Sequence, residues 1–264
     1  MKKYWIYFLI NWEQSLVYRL NFTLWRVRSI MQLLLVYFIW WTVFQDQNQI
    51  FGYSQMSILT YILVSAVIRA ITLSSRVIDV AGQINEGSIA NFLVKPLSFI
   101  GYFFVRDMAD KLLNIIFVVI EIMALIYFLK PLVFLQTDFA TLGLFILATF
   151  LALVLYFLIA FALGLSAFWL ENSWGPYFLL LTFVEGLGGG LFPIDILPKV
   201  LAQVLLLTPF PYLIYFPAKV YLGTMTSMEI LQGFLILTLW TCLLWFVLIR
   251  LLRAGFKKYT AVGY

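Results

Sequence analysis

Three ionisable residues stand within or at the ends of otherwise apolar runs: Arg69, Glu121 and Glu185. At the centre of a membrane helix each would cost on the order of 3 kcal/mol unless paired, hydrated or able to reach the surface. Glu185 precedes the glycine run "GLGGG" at 186–190. It reads as a contact for a cationic substrate or a proton, or as a structural hydrogen bond or outer-interface residue. Glu121 carries the same functional and structural readings. Arg69 is expected to snorkel to the inner surface, beside Arg76 and Asp79.

Other chemistry is absent. The chain has no histidine and a single cysteine, Cys242, within an apolar run. A histidine-dependent triad, the usual zinc sites and an intrachain disulfide are excluded. No Gly-Lys pair occurs, so the GxxxxGK[ST] loop that cradles ATP phosphates is missing. The "GLGGG" run lacks the lysine and follows no strand. It reads as a flexible joint or a close helix contact, or as a plain span break. No catalytic residue, metal ligand or bound cofactor is expected, and an intramembrane lipid enzyme finds no clustered catalytic residues.

The elements that hold these residues are membrane helices. Of 264 residues, 64% are hydrophobic and only 11% charged. Soluble domains carry about 25% charged residues, so this chain cannot cover its apolar surface with water-facing groups. Apolar runs of spanning length predict six helices: 29–44, 56–73, 112–129, 139–167, 174–191 and 230–252. With both termini in the cytoplasm, fourteen of the 17 Lys and Arg fall inside, and only Lys130, Lys199 and Lys219 outside. The start, Lys2–Lys3 then apolar residues, is superficially like a secretion signal, but no small-residue cleavage site follows. Residues 4–20 set Trp5, Phe8, Leu9, Trp12, Leu16 and Leu20 near one face, which predicts a helix lying in the inner interface or an extension of span 1. Residues 185–223 are apolar but broken by glycines and prolines, which predicts short pieces that enter the outer leaflet and return. Trp40, Trp41, Tyr61 and Phe192 fit an aromatic or amphipathic ligand, or interface belts and packing.

The chain is therefore expected to be one all-α transmembrane domain over 1–264. It divides into an interface helix (1–28), spans 1–2 (29–73), a cytoplasmic region (74–111), spans 3–5 (112–191), a re-entrant segment (192–223), span 6 (230–252) and a tail (253–264).

The cytoplasmic region holds a polar island, "NEGSIANFLVKPLS" at 85–98. Ser88 is a candidate cap. Ile89, Phe92 and Leu93 then share a helical face, and Pro96 stops the helix with Lys95 pushed toward extended backbone. A short rigid knob with an exposed apolar stripe suits a partner, or a loop helix resting on the membrane.

This island and "GGGLFPIDILPKVLAQVLLLTPFPY" resemble segments of permease subunits of type-2 ABC exporters, in the small-permease branch. Glu86, Gly87, Ile89, Leu93, Pro96 and Leu97 fill the first pattern, and Phe192, Pro193, Leu197 and Pro198 the second. The resemblance implies a bacterial inner-membrane subunit that pairs with a second permease, identical or related, and docks two copies of an ABC ATPase. ATP and Mg would bind on that ATPase; nucleic acid is not an expected partner. The knob at 79–97, with Glu86, Gly87, Ile89, Phe92, Leu93, Lys95 and Pro96, would couple to the ATPase. The pathway would lie between two permeases, lined mainly by spans 1, 2 and 5, with Glu185, Gly188, Gly189, Phe192 and Pro193 as candidates. A proton-coupled carrier using Glu121 or Glu185 is the alternative, against which no inverted repeat is visible.

Overall fold

A computed structural model describes residues 2–17, 19–47, 49–89 and 98–259. Most of them are helical. Helix α1 (Lys2–Val17) is followed by α2 (Arg19–Val43), α3 (Gln55–Thr72), α4 (Asp79–Asn85), α5 (Phe99–Leu129) and α6 (Phe139–Gly164). Then come α7 (Trp174–Leu187), α8 (Lys199–Leu206), α9 (Tyr215–Leu222) and α10 (Ser227–Lys258). One small departure from the all-α expectation is a hairpin, β1 (Gln49–Ile50) with β2 (Tyr53–Ser54), in the register Gln49↔Ser54 and Ile50↔Tyr53. Its two-residue turn, Phe51–Gly52, has positive φ at both positions, as a tight hairpin requires.

Among the described residues, four helices are long and apolar enough to cross a membrane: α3, α5, α6 with the 3-10 turn that extends it to Phe168, and α10. Two of the six expected spans fall short. Helix α2 has 25 residues, but Arg19, Arg26 and Arg28 occupy its first half. Helix α7 has only 14 residues, a rise of about 21 Å against about 30 Å of hydrocarbon. The interface helix is shorter than expected as well. Helix α1 ends at Val17, and 19–28 belong to α2. Helix α1 folds back on the start of α5, where Tyr7 and Tyr102 meet edge to face at 5.3 Å and the Ser98 amide donates to Tyr4 Oη at 3.4 Å. The expected span 3 also starts earlier, because α5 runs unbroken from Phe99 through the last residues assigned to the cytoplasmic region.

Helix α6 is the centre of the core. Ala148, Ala152, Leu155, Tyr156, Ala160 and Phe161 are fully buried, and α10, α9 and α3 pack around it. Asp138 caps its first turn by accepting from the Thr141 amide at 2.9 Å. Thr226 and Glu229 form a reciprocal capping box on α10, whose last turn carries Lys257 and Lys258 in accord with the helix dipole. Buried Lys111 of α5 donates to Thr72 O at 2.7 Å and Ser74 O at 3.2 Å. It thereby satisfies carbonyls that the end of α3 leaves free.

Between α7 and α10 the chain is a series of short pieces, as the glycines and prolines require: a 3-10 turn (Ile194–Ile196), α8, a second turn (Phe210–Leu213) and α9. One polar cluster pins this region to the hairpin. Tyr53 Oη donates to Asp195 at 2.9 Å, and Lys219 Nζ donates to Tyr53 Oη at 3.0 Å and to Asp195 at 2.9 Å. Burial and the adjacent Asp195 carboxylate push the Tyr53 phenol well above its ordinary range.

Candidate functional site: a charged cavity

A cavity of about 620 Å³ opens between α2, α3, α5 and α7 and the segment that leads into α4. Each helix contributes a face with helical spacing. Helix α2 supplies Trp25, Ser29, Gln32 and Val36; α5 supplies Asp110, Asn114, Val118 and Glu121; α7 supplies Trp174, Tyr177, Leu181 and Glu185. Helix α3 adds Ile62, Ala66, Arg69 and Ala70, and its C-cap Leu73 follows. The walls are mostly apolar and aromatic, with charge confined to defined positions, which is the usual make-up of a small-molecule site.

Two ion pairs cross this space, and a third, Arg76–Asp110 at 3.6 Å, stands among its lining residues. Arg26 reaches Glu121 through two contacts, Nε to Oε1 at 2.7 Å and Nη2 to Oε2, and its Nη1 donates to Asn114 Oδ1 at 3.2 Å. Both side chains are nearly buried, 9% and 12% exposed. The planar guanidinium matches the carboxylate fork, so this pair is geometrically saturated. Arg69 meets Glu185 through one contact, Nη1 to Oε1, and Gln32 Nε2 donates to Glu185 Oε2 at 3.1 Å. This second pair is more open, 19% and 33% exposed. Arg69 thus does not snorkel to Arg76 and Asp79 as expected. Glu185 lies closer and offsets its charge within the cavity.

The glycine run explains how Arg69 is seated. A Cβ at Gly190 would lie 2.2 Å from Arg69 Nη2, so only glycine leaves room for the guanidinium. The run sits beside the middle of α3. Tyr61 donates to Gly189 O at 2.6 Å, and the Tyr215 amide donates to Gly188 O at 3.0 Å. After α7 stops at Leu187, residues 188–192 continue as bends that lead into the 3-10 turn at Ile194–Ile196.

Of the expected pathway residues, Glu185 lines the cavity. Gly188 and Gly189 are buried behind it, Pro193 is buried and Phe192 half-buried. Glu121 lines it too. Trp40 and Tyr61 bind backbone instead, Trp40 Nε1 donating to Leu191 O at 2.9 Å. The residues that sequence reasoning missed are Arg26, Gln32, Asn114, Trp25, Trp174 and Tyr177.

The expected coupling residues divide. Phe92, Leu93, Lys95 and Pro96 lie outside the described residues. Glu86 and Gly87 close α4, with the Glu86 amide donating to Gly82 O at 2.9 Å and Gly87 at φ 71°. Tyr259 Oη donates to Gly87 O at 2.6 Å, which ties the end of α10 to this turn. Ile89 is fully buried, so it anchors the segment and does not belong to an exposed stripe. Ser88 donates back to Gln83 O at 3.3 Å. Among the described residues no three acidic or cysteine side chains come together as a metal site.

A family model described as ABC-2 family transporter protein matches residues 30–263. The chain belongs to the ABC-2 transporter family. No curated protein and no solved structure matches it. In this ABC-2 family membrane protein the match begins just after Arg26 and Arg28 and takes in α3, α5, α7 and most of α2. It covers Glu121, Arg69 and Glu185, and the whole of α4.

Proposed function

We propose that this chain is the membrane-spanning subunit of an ATP-driven exporter, without an ATPase site of its own. It would form the substrate pathway with a second permease, identical or related, and take its energy from two copies of a separate ABC ATPase that bind ATP and Mg. In this reading α2 and α7 complete six spans, both termini are cytoplasmic, the pieces around α8 and α9 re-enter the outer leaflet, and the setting is a bacterial inner membrane.

One observation carries the reading. Asp79, the first residue of α4, lines the cavity, and the other end of α4 is the Glu86–Gly87 turn. Seven helical residues, about 10 Å of rise, separate the coupling segment from the cavity wall. Two ion pairs stiffen the link. Arg106 of α5 holds Asp79 at 2.5 Å, and Arg76 faces Asp110 at 3.6 Å. Val80, Ala81 and Ile84 are buried, with α4 packed on the Leu165–Phe168 turn. A push on the 79–97 segment would therefore reach the cavity as a rigid-body shift of α4.

The proton-coupled alternative draws no support from the cavity, since Glu121 and Glu185 are each neutralised by an arginine. The test is reconstitution. The chain alone is expected to hydrolyse no ATP, and coexpression with a cognate ABC ATPase is expected to yield a complex that does. Transport by the chain alone in ATP-free liposomes under a pH gradient would contradict the proposal.

A further inference from the structure

The ion pairs of the cavity are unequal, and the difference bears on the ligand. Arg26–Glu121 is closed by two contacts to each other and a third to Asn114. Arg69–Glu185 is joined at one point and is about twice as exposed. Among the described pairs with both members in the lining, it is the one that leaves both partly exposed, since the carboxylate of Arg76–Asp110 is only 9% exposed. We propose that Arg69 and Glu185 form a head-group subsite for an amphiphile that carries one cationic and one anionic group.

Charge conservation is the core of the argument. A singly charged ligand that binds Arg69 or Glu185 leaves the other member with an unpaired, largely buried charge. A zwitterion exchanges both at once: its anion takes the guanidinium and its cation takes the carboxylate. One ion pair is then replaced by two, and neither Arg69 nor Glu185 is left unpaired. The lining as a whole is balanced in the same way, with Arg26, Arg28, Arg69 and Arg76 against Asp79, Asp110, Glu121 and Glu185. Such a lining gives no net preference for either sign. The apolar body of the ligand finds Leu33, Val36, Ile62 and Leu181, with the rings of Trp25 and Trp174. A volume of about 620 Å³ suits a ligand of drug-like size or a single acyl chain.

The same head chemistry occurs in a lipid and in an apolar peptide with free termini. Calling either one cargo rests on the permease reading; binding does not. The full-length chain in nanodiscs of phosphatidylglycerol, which has no amine, is titrated calorimetrically with three chain-matched probes below their micellar concentrations. These are dodecylphosphocholine, dodecyltrimethylammonium and dodecyl sulfate. Trileucine and its N-acetyl amide form the peptide arm. At least one zwitterion is expected to bind about tenfold tighter than its singly charged or neutral counterparts, and the arm that does so identifies the source. Glu185→Gln is expected to turn the order toward dodecyl sulfate, and Arg69→Met toward dodecyltrimethylammonium. Absence of zwitterion preference in the wild-type chain overturns the proposal whether or not the variants fold. So does an equal loss of all probes in both variants. Copurification of the ATPase, measured separately, shows whether the permease reading stands when this one falls.

Discussion

Arg26 of α2 and Glu121 of α5 face each other in a two-point ion pair, with Nε and Oε1 2.7 Å apart and both side chains nearly out of solvent. Their codons lie far apart in the gene, so the pair fixes the packing of α2 on α5 rather than a local turn. Glu121→Gln leaves a buried guanidinium without its counter-charge. The expected loss is about 3–5 kcal/mol of stability, read as a lowered unfolding transition in detergent. The double variant Arg26→Met/Glu121→Met is expected to recover most of that loss, because no buried charge remains. A double variant as unstable as the single one would mean that the charges are not what matters at this contact.

Gly190→Ala tests the seating of Arg69. The new methyl would collide with the guanidinium at 2.2 Å, and the backbone of a packed turn cannot yield that far. Arg69 is expected to leave Glu185. Export should fall severalfold while membrane insertion and ATPase copurification stay normal. Normal export from this variant would show that the Arg69–Glu185 contact is dispensable.

A pH effect is expected at the start of α6. Hydrogen bonds from the Thr141 hydroxyl and amide hold the Asp138 carboxyl below its usual range. A carboxyl depressed in the folded state stabilises above the ordinary aspartate value and loses that contribution as pH falls through the folded value. Asp138→Asn keeps an acceptor for the Thr141 amide but removes the titration. Its unfolding midpoint is expected to depend less on pH below about 4 than that of the wild type. Parallel acid limbs for the two proteins would refute this assignment.

Arg106→Gln separates stability from coupling. The pair with Asp79 is partly exposed, 16% and 44%, so its loss is expected to cost less than about 1 kcal/mol. If α4 transmits force to the cavity, transport per ATP hydrolysed should nevertheless drop, with ATPase binding intact. Unchanged coupling would place the transmission path elsewhere.

The sequence shows some of this plainly and hides the rest for physical reasons. Apolar length locates α3, α6 and α10 to within a few residues, because lipid demands continuous helix. It overreaches at α7, where hydropathy runs on to residue 191 while the helix ends at Leu187. The glycine-rich bends beyond Leu187 are as apolar as the helix, so composition does not mark the stop. Arg69, Glu121 and Glu185 stand out as charges in greasy runs, yet their partners cannot be read, since pairing across 95 and 116 residues is set by packing. Arg26 falls within the expected interface region 1–28 yet belongs to α2, and no glycine or proline in the sequence marks where α1 gives way to α2. One signal was available. Ser29 and Gln32 on α2, and Asp110, Asn114 and Glu121 on α5, form polar stripes at helical spacing within apolar segments. Such stripes mark faces turned toward a cavity.

The central claim is that the 79–97 segment is where a separate ATPase grips this ABC-2 family protein and drives the cavity. The most direct measurement is pull-down of the coexpressed ATPase by tagged wild-type chain and by the Phe92→Asp and Leu93→Asp variants, with membrane insertion measured in parallel. The wild type is expected to retain an active ATPase, and both variants to insert normally and lose it. Equal ATPase recovery from all three chains would contradict the account.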